Sequence, residues 1–375
     1  MRIVVNARFL RSDYVNSYGR LQYETLTRIV KNHPDDSFIF LFDKPFDVSL
    51  KLAENVTPLY VTPEAKGPLS WKWWFDIKVP AILRKYKADV FVSMDRFVSL
   101  RTKVPQCMVV QDFSFLHMPE TFKKSHLSFY KKNTALYLNK ATSVAVVSHA
   151  IKKDINDYYK ITQDKLNTIF SGANDVFQIA NEQAKENTKE KYTSGYNYFI
   201  YTGFLEQSTN LITVLKAFSV FKKRQKSSWK LVLAGKFVSV YKDEFLKSLA
   251  TYKYREDVVV LDTIDEQERA ALVGAAYAMV YPIAYEGFAI PVLEAMQSGV
   301  PVIVANNSSL RDITEDAALF TDVKDPADVA DKMMQLYKDE NLRTQLIAKG
   351  MDIAKAYNWD KTADLLWKSI LKAAK

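Results

Sequence analysis

The clearest sign of chemistry in this sequence is a pair of glutamates with seven residues between them. They stand in the run Glu286-Gly-Phe-Ala-Ile-Pro-Val-Leu-Glu294. A short hydrophobic segment before the run predicts a strand that ends near Tyr281, and Pro291 predicts the first turn of a following helix. Glu286 is therefore expected in a loop and Glu294 in the first turn of that helix. Two carboxylates held in this way can accept hydrogen bonds from hydroxyl groups of a ligand.

The start of the same helix predicts a site for an anion. The first backbone N–H groups of a helix lack intrahelical partners and lie at the positive end of its dipole. The residues expected to face a phosphate are Gly287, Phe288, Ala289 and Ile290. An anion site beside hydroxyl acceptors indicates a nucleotide sugar. Taken singly, Glu294 could merely complement the helix dipole, and Glu286 could be a solvated loop residue.

Short hydrophobic runs alternate with amphipathic stretches along the chain, which predicts α/β architecture with parallel sheets. The strands predicted in the first half are Ile3–Asn6, Phe38–Phe42, Val90–Ser93, Cys107–Gln111 and Ser143–Val147. Those predicted in the second half are Tyr198–Thr202, Lys230–Ala234, Val258–Leu261, Ala278–Tyr281 and Val302–Val304. The helices predicted between them are Leu21–Lys31, Ile77–Tyr86, Leu211–Arg224, Lys242–Lys253 and Glu266–Gly274. A polar stretch over residues 178–197 is expected to be a linker region with a surface helix.

Composition narrows the classes of protein to consider. The chain has 375 residues, of which 48% are hydrophobic and 25% charged, so two globular domains are expected. The single cysteine, Cys107, excludes an internal disulfide framework and favours a cytoplasmic protein. No hydrophobic run is long enough to predict a membrane span. The formal charge of +9 suits a phosphorylated partner or an anionic membrane surface.

Several other functions lack the motifs they need. The sequence contains neither a GxGxxG fingerprint nor a P-loop lysine, which argues against dehydrogenases and nucleoside triphosphatases. The four histidines show no metal-ligand spacing, and we expect no metal. The lysines are spread along both halves rather than forming a basic stripe, so a nucleic-acid partner is not expected.

With these motifs in place, the sequence resembles retaining glycosyltransferases of the GT-B fold, specifically glycosyltransferase family 4. The likeness covers nearly the whole chain. Besides the glutamate pair it rests on Val110-Gln-Asp-Phe-Ser-Phe-Leu116, Val146-Val-Ser148, Ser171-Gly-Ala-Asn174, Tyr201-Thr-Gly-Phe-Leu205 with Asn210-Leu211, Leu233-Ala-Gly-Lys236, Asn306-Asn-Ser-Ser-Leu310 with Asp316-Ala-Ala318, and Trp359-Asp-Lys-Thr-Ala363.

This resemblance implies two Rossmann-like domains that face an interdomain cleft. The acceptor-side domain would span residues 1–177, the nucleotide-sugar domain 198–358, and a final helix over 359–375 would pack back on the first domain. Glu294 would hold the ribose hydroxyls and Glu286 the transferred sugar. Gly203 and Asn210 would help to bind the donor. The family uses no cofactor, and the acceptor would be a saccharide or a lipid-linked sugar.

The sequence also departs from the family pattern. Where the family has Arg-Lys before Asn-Leu, this chain has Ser208-Thr209, so two cations that neutralise the leaving diphosphate are missing. The family's His-Asp is Gln111-Asp112, and Ala289 adds a methyl group where the backbone should approach the ligand. We expect Asp112 to act in catalysis and Gln111 to contact the acceptor.

Two interpretations of these departures stay open. In the first, other cations take over, and the candidates are Lys236, Arg20 and Arg311, the last of which stands where the family has Pro-Glu. In the second, the donor site has decayed and the chain is a catalytically silent binding protein of the same fold. An epimerase or a phosphorylase on this architecture lacks the motifs we would expect.

The acceptor is expected on the first domain. Gly19 and Arg20 are predicted in its first strand-to-helix loop, close to donor phosphate and acceptor. The segment Ser70-Trp-Lys-Trp-Trp-Phe-Asp-Ile-Lys78 offers Trp71, Trp73 and Trp74 to sugar rings or to the inner face of a membrane. Alternatively, one or two of these tryptophans belong to the core.

Overall fold

The computed structural model describes residues 1–10, 17–46, 50 and 52–375. Over these residues the chain divides into two compact units, and each contains one parallel sheet flanked by helices. Unit 1 consists of Met1–Ser171 with Asn358–Lys375, and unit 2 consists of Gly172–Tyr357. The predicted α/β class with two parallel sheets is confirmed.

The sheet of unit 1 has the strand order β3-β2-β1-β4-β5-β6-β7 in the described part of the chain, and every pair is parallel. Its strands are β1 Arg2–Asn6, β2 Ser37–Phe42, β3 Val56–Tyr60, β4 Val90–Ser93, β5 Gln106–Val110, β6 Ser143–Val146 and β7 Leu166–Thr168. The inner strands are buried on both faces, as their continuous hydrophobic sequences require.

The helices of unit 1 cover both faces of that sheet. They are α1 Ser17–Asn32, α2 Pro68–Trp73, α3 Val79–Lys85, α4 Ser114–His117, α5 Lys124–Lys140 and α6 His149–Tyr159. A π-helical turn at Trp74–Lys78 joins α2 to α3. The last helix of the chain, Trp359–Ala374, also belongs to this unit, where it packs on α1 and on β4 to β6 through buried side chains such as Leu366 and Ile370.

The sheet of unit 2 has the order β10-β9-β8-β11-β12-β13 among the residues that the structure describes. Its strands are β8 Tyr198–Thr202, β9 Lys230–Gly235, β10 Val258–Asp262, β11 Ala278–Tyr281, β12 Val302–Ala305 and β13 Ala318–Thr321. Its helices are α7 Glu182–Thr193, α8 Leu211–Gln225, α9 Ser239–Ala250, α10 Glu266–Gly274, α11 Ile290–Gln297, α12 Ser308–Thr314, α13 Pro326–Lys338 and α14 Glu340–Ala354. The final helix described above is therefore α15. The predicted surface helix in the polar stretch is α7, which packs against α10.

None of the helices in the described part of the chain is long and apolar enough to cross a membrane.

Candidate functional site

Side-chain amides join the segments that follow three neighbouring strands of unit 2, β8, β11 and β12. Asn210, which follows β8 and adopts a left-handed backbone conformation, donates from Nδ2 to the carbonyl oxygen of Pro282 at 2.8 Å. Asn307, which caps α12 after β12, donates to the carbonyls of Ile283 and Ala284 at 3.1 and 3.2 Å. Both amides therefore hold the loop after β11, the loop that carries Glu286. Carboxyl ends of parallel strands are where open α/β sheets bind ligands.

Two glycines allow the ends of β8 and β9 to touch. A Cβ atom on Gly235 would lie 1.7 Å from the carbonyl oxygen of Gly203, and Gly203 itself has φ +138°. The strand ends continue in contact, because the amide of Leu205 donates to the carbonyl of Lys236 at 3.0 Å. Gly203, which the sequence predicted to bind the donor substrate, therefore helps to fix the position of the backbone that precedes Lys236.

We predict that Gly235→Ala will destabilise unit 2 and disorder this edge. The added methyl group cannot fit unless the backbone of Gly203 moves, and overpacking of this kind costs about 1–3 kcal/mol. Chemical denaturation would measure the loss. Gly274→Ala is a matched control, because its Cβ would meet the nearest atom only at 3.4 Å, an ordinary contact. Equal stability of the two variants would contradict the close approach at Gly235.

Glu286 lies in the loop after β11, as predicted, and is partly exposed. The hydroxyl of Tyr281 donates to its Oε2. Tyr281 stacks on Tyr201 with ring centroids 5.8 Å apart. Burial, reinforced by the negative charge of Glu286, raises the pKa of both tyrosines well above the ordinary value. Tyr281 therefore stays a neutral donor that fixes one oxygen of Glu286.

Glu294 is fully buried and occupies the second turn of α11, not the first turn as the sequence suggested. The helix begins one residue before Pro291, at Ile290, which moves Glu294 beyond the first turn. Both of its oxygens accept hydrogen bonds from Arg269 of α10, through Nη1 to Oε2 and through Nη2 to Oε1 at 3.1 Å. Arg269 also packs over the ring of Phe177 at 4.7 Å. Nothing in the sequence pattern had indicated this partner.

The start of α11 differs in one detail from the expected anion site. Gly287, Phe288, Ala289 and Ile290 are all buried. The amide of Ile290 already donates to the carbonyl of Phe288 at 3.1 Å. Ala289 precedes the helix as its N-cap residue, and its carbonyl accepts from the amides of Val292 and Leu293. The expectation that Ile290 offers its amide to a phosphate is therefore wrong for this conformation of the loop.

The turn that lacks the family's two cations is closed by its own hydroxyls. Ser208 Oγ donates to Glu206 Oε1 at 2.5 Å, and Thr209 Oγ1 donates to the Glu206 carbonyl at 2.6 Å. At the same sheet edge, Lys236 follows β9 and is exposed. Arg311 is exposed on α12, where its Nε donates to Asn306 at 2.6 Å and its guanidinium covers the Phe320 ring at 4.2 Å.

In unit 1, Asp112 is the centre of a partly buried ionic network. Its Oδ2 accepts from Arg96 Nη2 at 2.5 Å and from the hydroxyl of Tyr18, and its Oδ1 accepts from the amide of Ser114 at 2.9 Å. Burial by itself would raise the pKa of Asp112, but Arg96 and the hydrogen bonds outweigh it and lower the pKa. Asp112 is thus a fixed anion. Its neighbour Gln111 is buried.

Gly19 and Arg20 are buried in the first turn of α1, so the prediction that they sit in a loop is wrong. The sequence analysis also missed three residues that follow β1, β2 and β4. Arg8 donates from Nη2 to Asp95 at 2.5 Å and from Nη1 to Asp43 at 3.3 Å. A charged residue within two positions of the end of a buried strand is the signal that could have revealed them.

The three tryptophans separate into different environments. Trp74 is fully buried, and its Nε1 donates to the carbonyl of Val61 at 3.2 Å. Trp71 is buried against Phe129 and Tyr130 and also lines a cavity. Trp73 is 49% exposed. A fully buried indole has no face to offer a sugar or a lipid, so Trp74 is a core residue and the expectation of ligand contact there is wrong.

Comparison with known proteins finds similarity in sequence to glycosyltransferases. Residues 182–352 match the family described as glycosyl transferases group 1. O-antigen chain mannosyltransferase B of Escherichia coli is 25% identical over 280 residues, which cover 74% of this chain and 73% of that protein. The serotype-specific mannosyltransferase WbdA of Escherichia coli is 23% identical over 63% of this chain, but the chain spans only 29% of its length.

A solved structure extends the likeness to the whole fold. HepE of Anabaena, in complex with UDP-glucose, matches with a TM-score of 0.76 at 14% sequence identity, and the match covers 99% of each chain. At this identity the likeness establishes the architecture alone, and the architecture is GT-B.

Proposed function

We propose that this chain is a retaining glycosyltransferase, because residues 182–352 match the family described as glycosyl transferases group 1 and the fold is GT-B. It transfers a sugar from a nucleotide diphosphate sugar to a saccharide or a lipid-linked acceptor, without a metal or a cofactor. The observation that carries the proposal lies at the carboxyl edge of the sheet of unit 2. There, hydrogen bonds from the segment after β8 hold both the loop that carries Glu286 and the loop that carries Lys236.

The chemistry follows from the charges at that edge. Departure of a nucleoside diphosphate builds negative charge on its outer phosphate, and a nearby cation or amide stabilises that charge. Lys236 supplies the cation that Ser208 and Thr209 do not. Glu286, oriented by Tyr281, accepts hydrogen bonds from the transferred sugar. Glu294, held by its two hydrogen bonds from Arg269, is the carboxylate that we propose binds the ribose hydroxyls of the donor.

The donor sugar we propose is mannose, because the two curated relatives are named as mannosyltransferases. UDP-glucose bound to the structurally similar HepE supports a nucleotide sugar in general. The test is a thermal-shift screen with GDP, UDP, ADP and their sugars, followed by a transfer assay with the best ligand. Stabilisation by a nucleotide sugar together with product formation is expected. Binding without transfer or hydrolysis would instead favour the silent binding protein.

We further propose that unit 1 contacts an anionic membrane surface, where a lipid-linked acceptor would lie. The helical segment from α2 through the π turn exposes Leu69 (87%), Trp73 (49%) and Ile77 (39%), four residues apart in sequence. Lysines flank this stripe, and α5, which packs on α2, exposes others. They are Lys66, Lys72, Lys124, Lys131 and Lys132. An apolar stripe with lysines beside it suits the interface of an anionic bilayer.

We predict opposite effects for two adjacent tryptophans. Trp73→Ala should leave the melting temperature nearly unchanged and weaken binding to vesicles that contain anionic lipid, because its ring is exposed. Trp74→Ala should lose about 3–5 kcal/mol of stability, because its ring fills the core. Vesicle sedimentation and thermal melting measure the two effects. Unchanged vesicle binding by Trp73→Ala would exclude the stripe as a membrane contact.

A further inference from the structure

The strand β10, which forms one edge of the sheet of unit 2, is apolar and incompletely covered. Its residues Val258, Val259, Val260 and Leu261 are all half-buried, whereas every residue of the inner strand β8 is buried. Successive side chains of a strand point to opposite faces of the sheet. Both faces of β10 therefore reach solvent.

The backbone of β10 also has a free side. The strand pairs with β9 alone, in parallel. Just after the strand, the amide of Thr263 donates to the carbonyl of Gly235 on β9 at 3.3 Å. Because backbone groups point alternately to the two sides along a strand, those of Val258, Val260 and Asp262 face away from β9. Among the described residues, no turn or loop backbone pairs with these outward groups.

The other sheet edges in the described part of the chain carry features that hinder strand pairing. β3 contains Pro58, which has no amide hydrogen to donate, and β7 has only three residues. α13 packs on β13, whereas no described helix packs on β10 to the same extent. β10 contains no proline, and its one charged residue, Asp262, stands at its end. It is therefore the edge best suited to pair with another strand.

The sequence of β10 suits a second copy of itself in antiparallel orientation. In a two-fold arrangement centred on Val260, this residue faces Val260 of the partner subunit, and Val259 faces Leu261 of the partner subunit. All the outward backbone groups then have partners, and apolar side chains meet across the strands. The flanking charges agree, because the exposed Arg255 and Asp265 are equally far from Val260 in sequence. Antiparallel pairing brings each towards its opposite charge.

The carboxylates at the two ends of β10 are already paired with lysines. Asp257 binds Lys222 at 2.9 Å and Lys230 at 2.8 Å. Asp262 binds Lys242 at 2.6 Å. Repulsion between the carboxylates of two copies is therefore reduced.

We infer that this protein self-associates through β10 into a two-fold dimer, in which the β10 strands of two copies pair antiparallel and join their six-stranded sheets. The inference does not depend on the proposed transferase function. Antiparallel pairing directs the carboxyl ends of the two sheets away from each other, so each copy keeps its own candidate site. One strand from each copy buries less surface than a permanent dimer does, so monomer and dimer are expected to exchange.

The test measures self-association of the full chain by sedimentation equilibrium across about a hundredfold range of concentration. The mean mass is expected to rise towards that of a dimer and no further, because a closed two-fold contact leaves no free β10. Val260→Lys and Val260→Glu each place like charges opposite one another at the two-fold axis. Each is expected to weaken dimerisation about tenfold or more. An equimolar mixture of the two variants pairs opposite charges and should restore association.

Thr57→Lys is the matched control, because it adds the same charge at an exposed position of the edge strand β3 and should leave association unchanged. Melting temperatures identify any variant that fails to fold. If Val260→Lys does not fold, Val260→Pro takes its place, because proline removes only an outward amide and edge strands tolerate it there. In the unaltered chain, hydrogen exchange of the outward β10 amides should slow as the concentration rises.

Three outcomes would overturn the inference: a monomer at every concentration, equal association of Val260→Lys and Thr57→Lys, or a mixture of the lysine and glutamate variants that fails to associate. Growth beyond a dimer would reject the closed two-fold contact. Dimerisation without slower exchange at β10 would place the contact elsewhere on the protein.

Discussion

Glu294→Ala should lower the free energy of unfolding by about 3 kcal/mol or more and abolish nucleotide-sugar binding. Glu294 is fully buried, and its removal leaves the guanidinium of Arg269 without the carboxylate that both of its terminal nitrogens contact. Removal of one partner of a buried ion pair costs about 3–5 kcal/mol. Urea denaturation measures the stability, and calorimetric titration with the nucleotide from the screen measures the binding.

A second variant separates the structural role of Glu294 from its role in binding. Replacing both partners, as Glu294→Leu with Arg269→Met, should recover most of the lost stability, because no buried charge is left unpaired. Nucleotide binding should stay lost if Glu294 holds the ribose. Normal nucleotide affinity of this folded double variant would remove Glu294 from the donor site and leave it as a core ion pair.

Lys236→Ala should reduce kcat by about 100- to 1000-fold while the fold stays intact. Groups that stabilise charge developing in a transition state have effects of this size, and an exposed side chain contributes little to stability. Lys247→Ala, at an exposed lysine of the same unit on α9, should behave like the unaltered protein. Steady-state turnover at saturating donor is the measurement. Equal kcat for the two variants would show that Lys236 does not stabilise the leaving diphosphate. Arg20 and Arg311 would then be tested in the same way.

The sequence predicted the interior strands of both sheets because these are buried on two faces and read as continuous hydrophobic runs. It missed β3, β7 and β13, and each of these lies at the edge of a sheet. β3 contains Pro58 and has only one buried residue, and β7 has only three residues. An edge strand has one neighbour, so its sequence carries less of the hydrophobic signal on which the prediction depended.

The candidate site shows the same division between local and long-range information. Glu286 was predicted in its loop because Pro291 and the preceding strand are local signals. The partner of Glu294 was not, because Arg269 is twenty-five residues away on another helix. The contact of Gly235 with Gly203 likewise depends on which strands are neighbours in the sheet. Sequence patterns show which residues follow strands, whereas pairing across elements requires the fold.

The position of α15 has a consequence for how this protein is made. Unit 1 needs this helix to cover β4 to β6, yet all of unit 2 is translated between Ser171 and Asn358. We therefore expect that, during synthesis, unit 1 keeps this apolar surface exposed to solvent until α15 is translated, and that unit 2, whose sequence is complete earlier, folds first. This reverses the usual N-to-C order of domain folding during synthesis. Residues 1–171, whose apolar surface is uncovered until α15 is made, are therefore the part of the nascent chain that we expect a chaperone to bind.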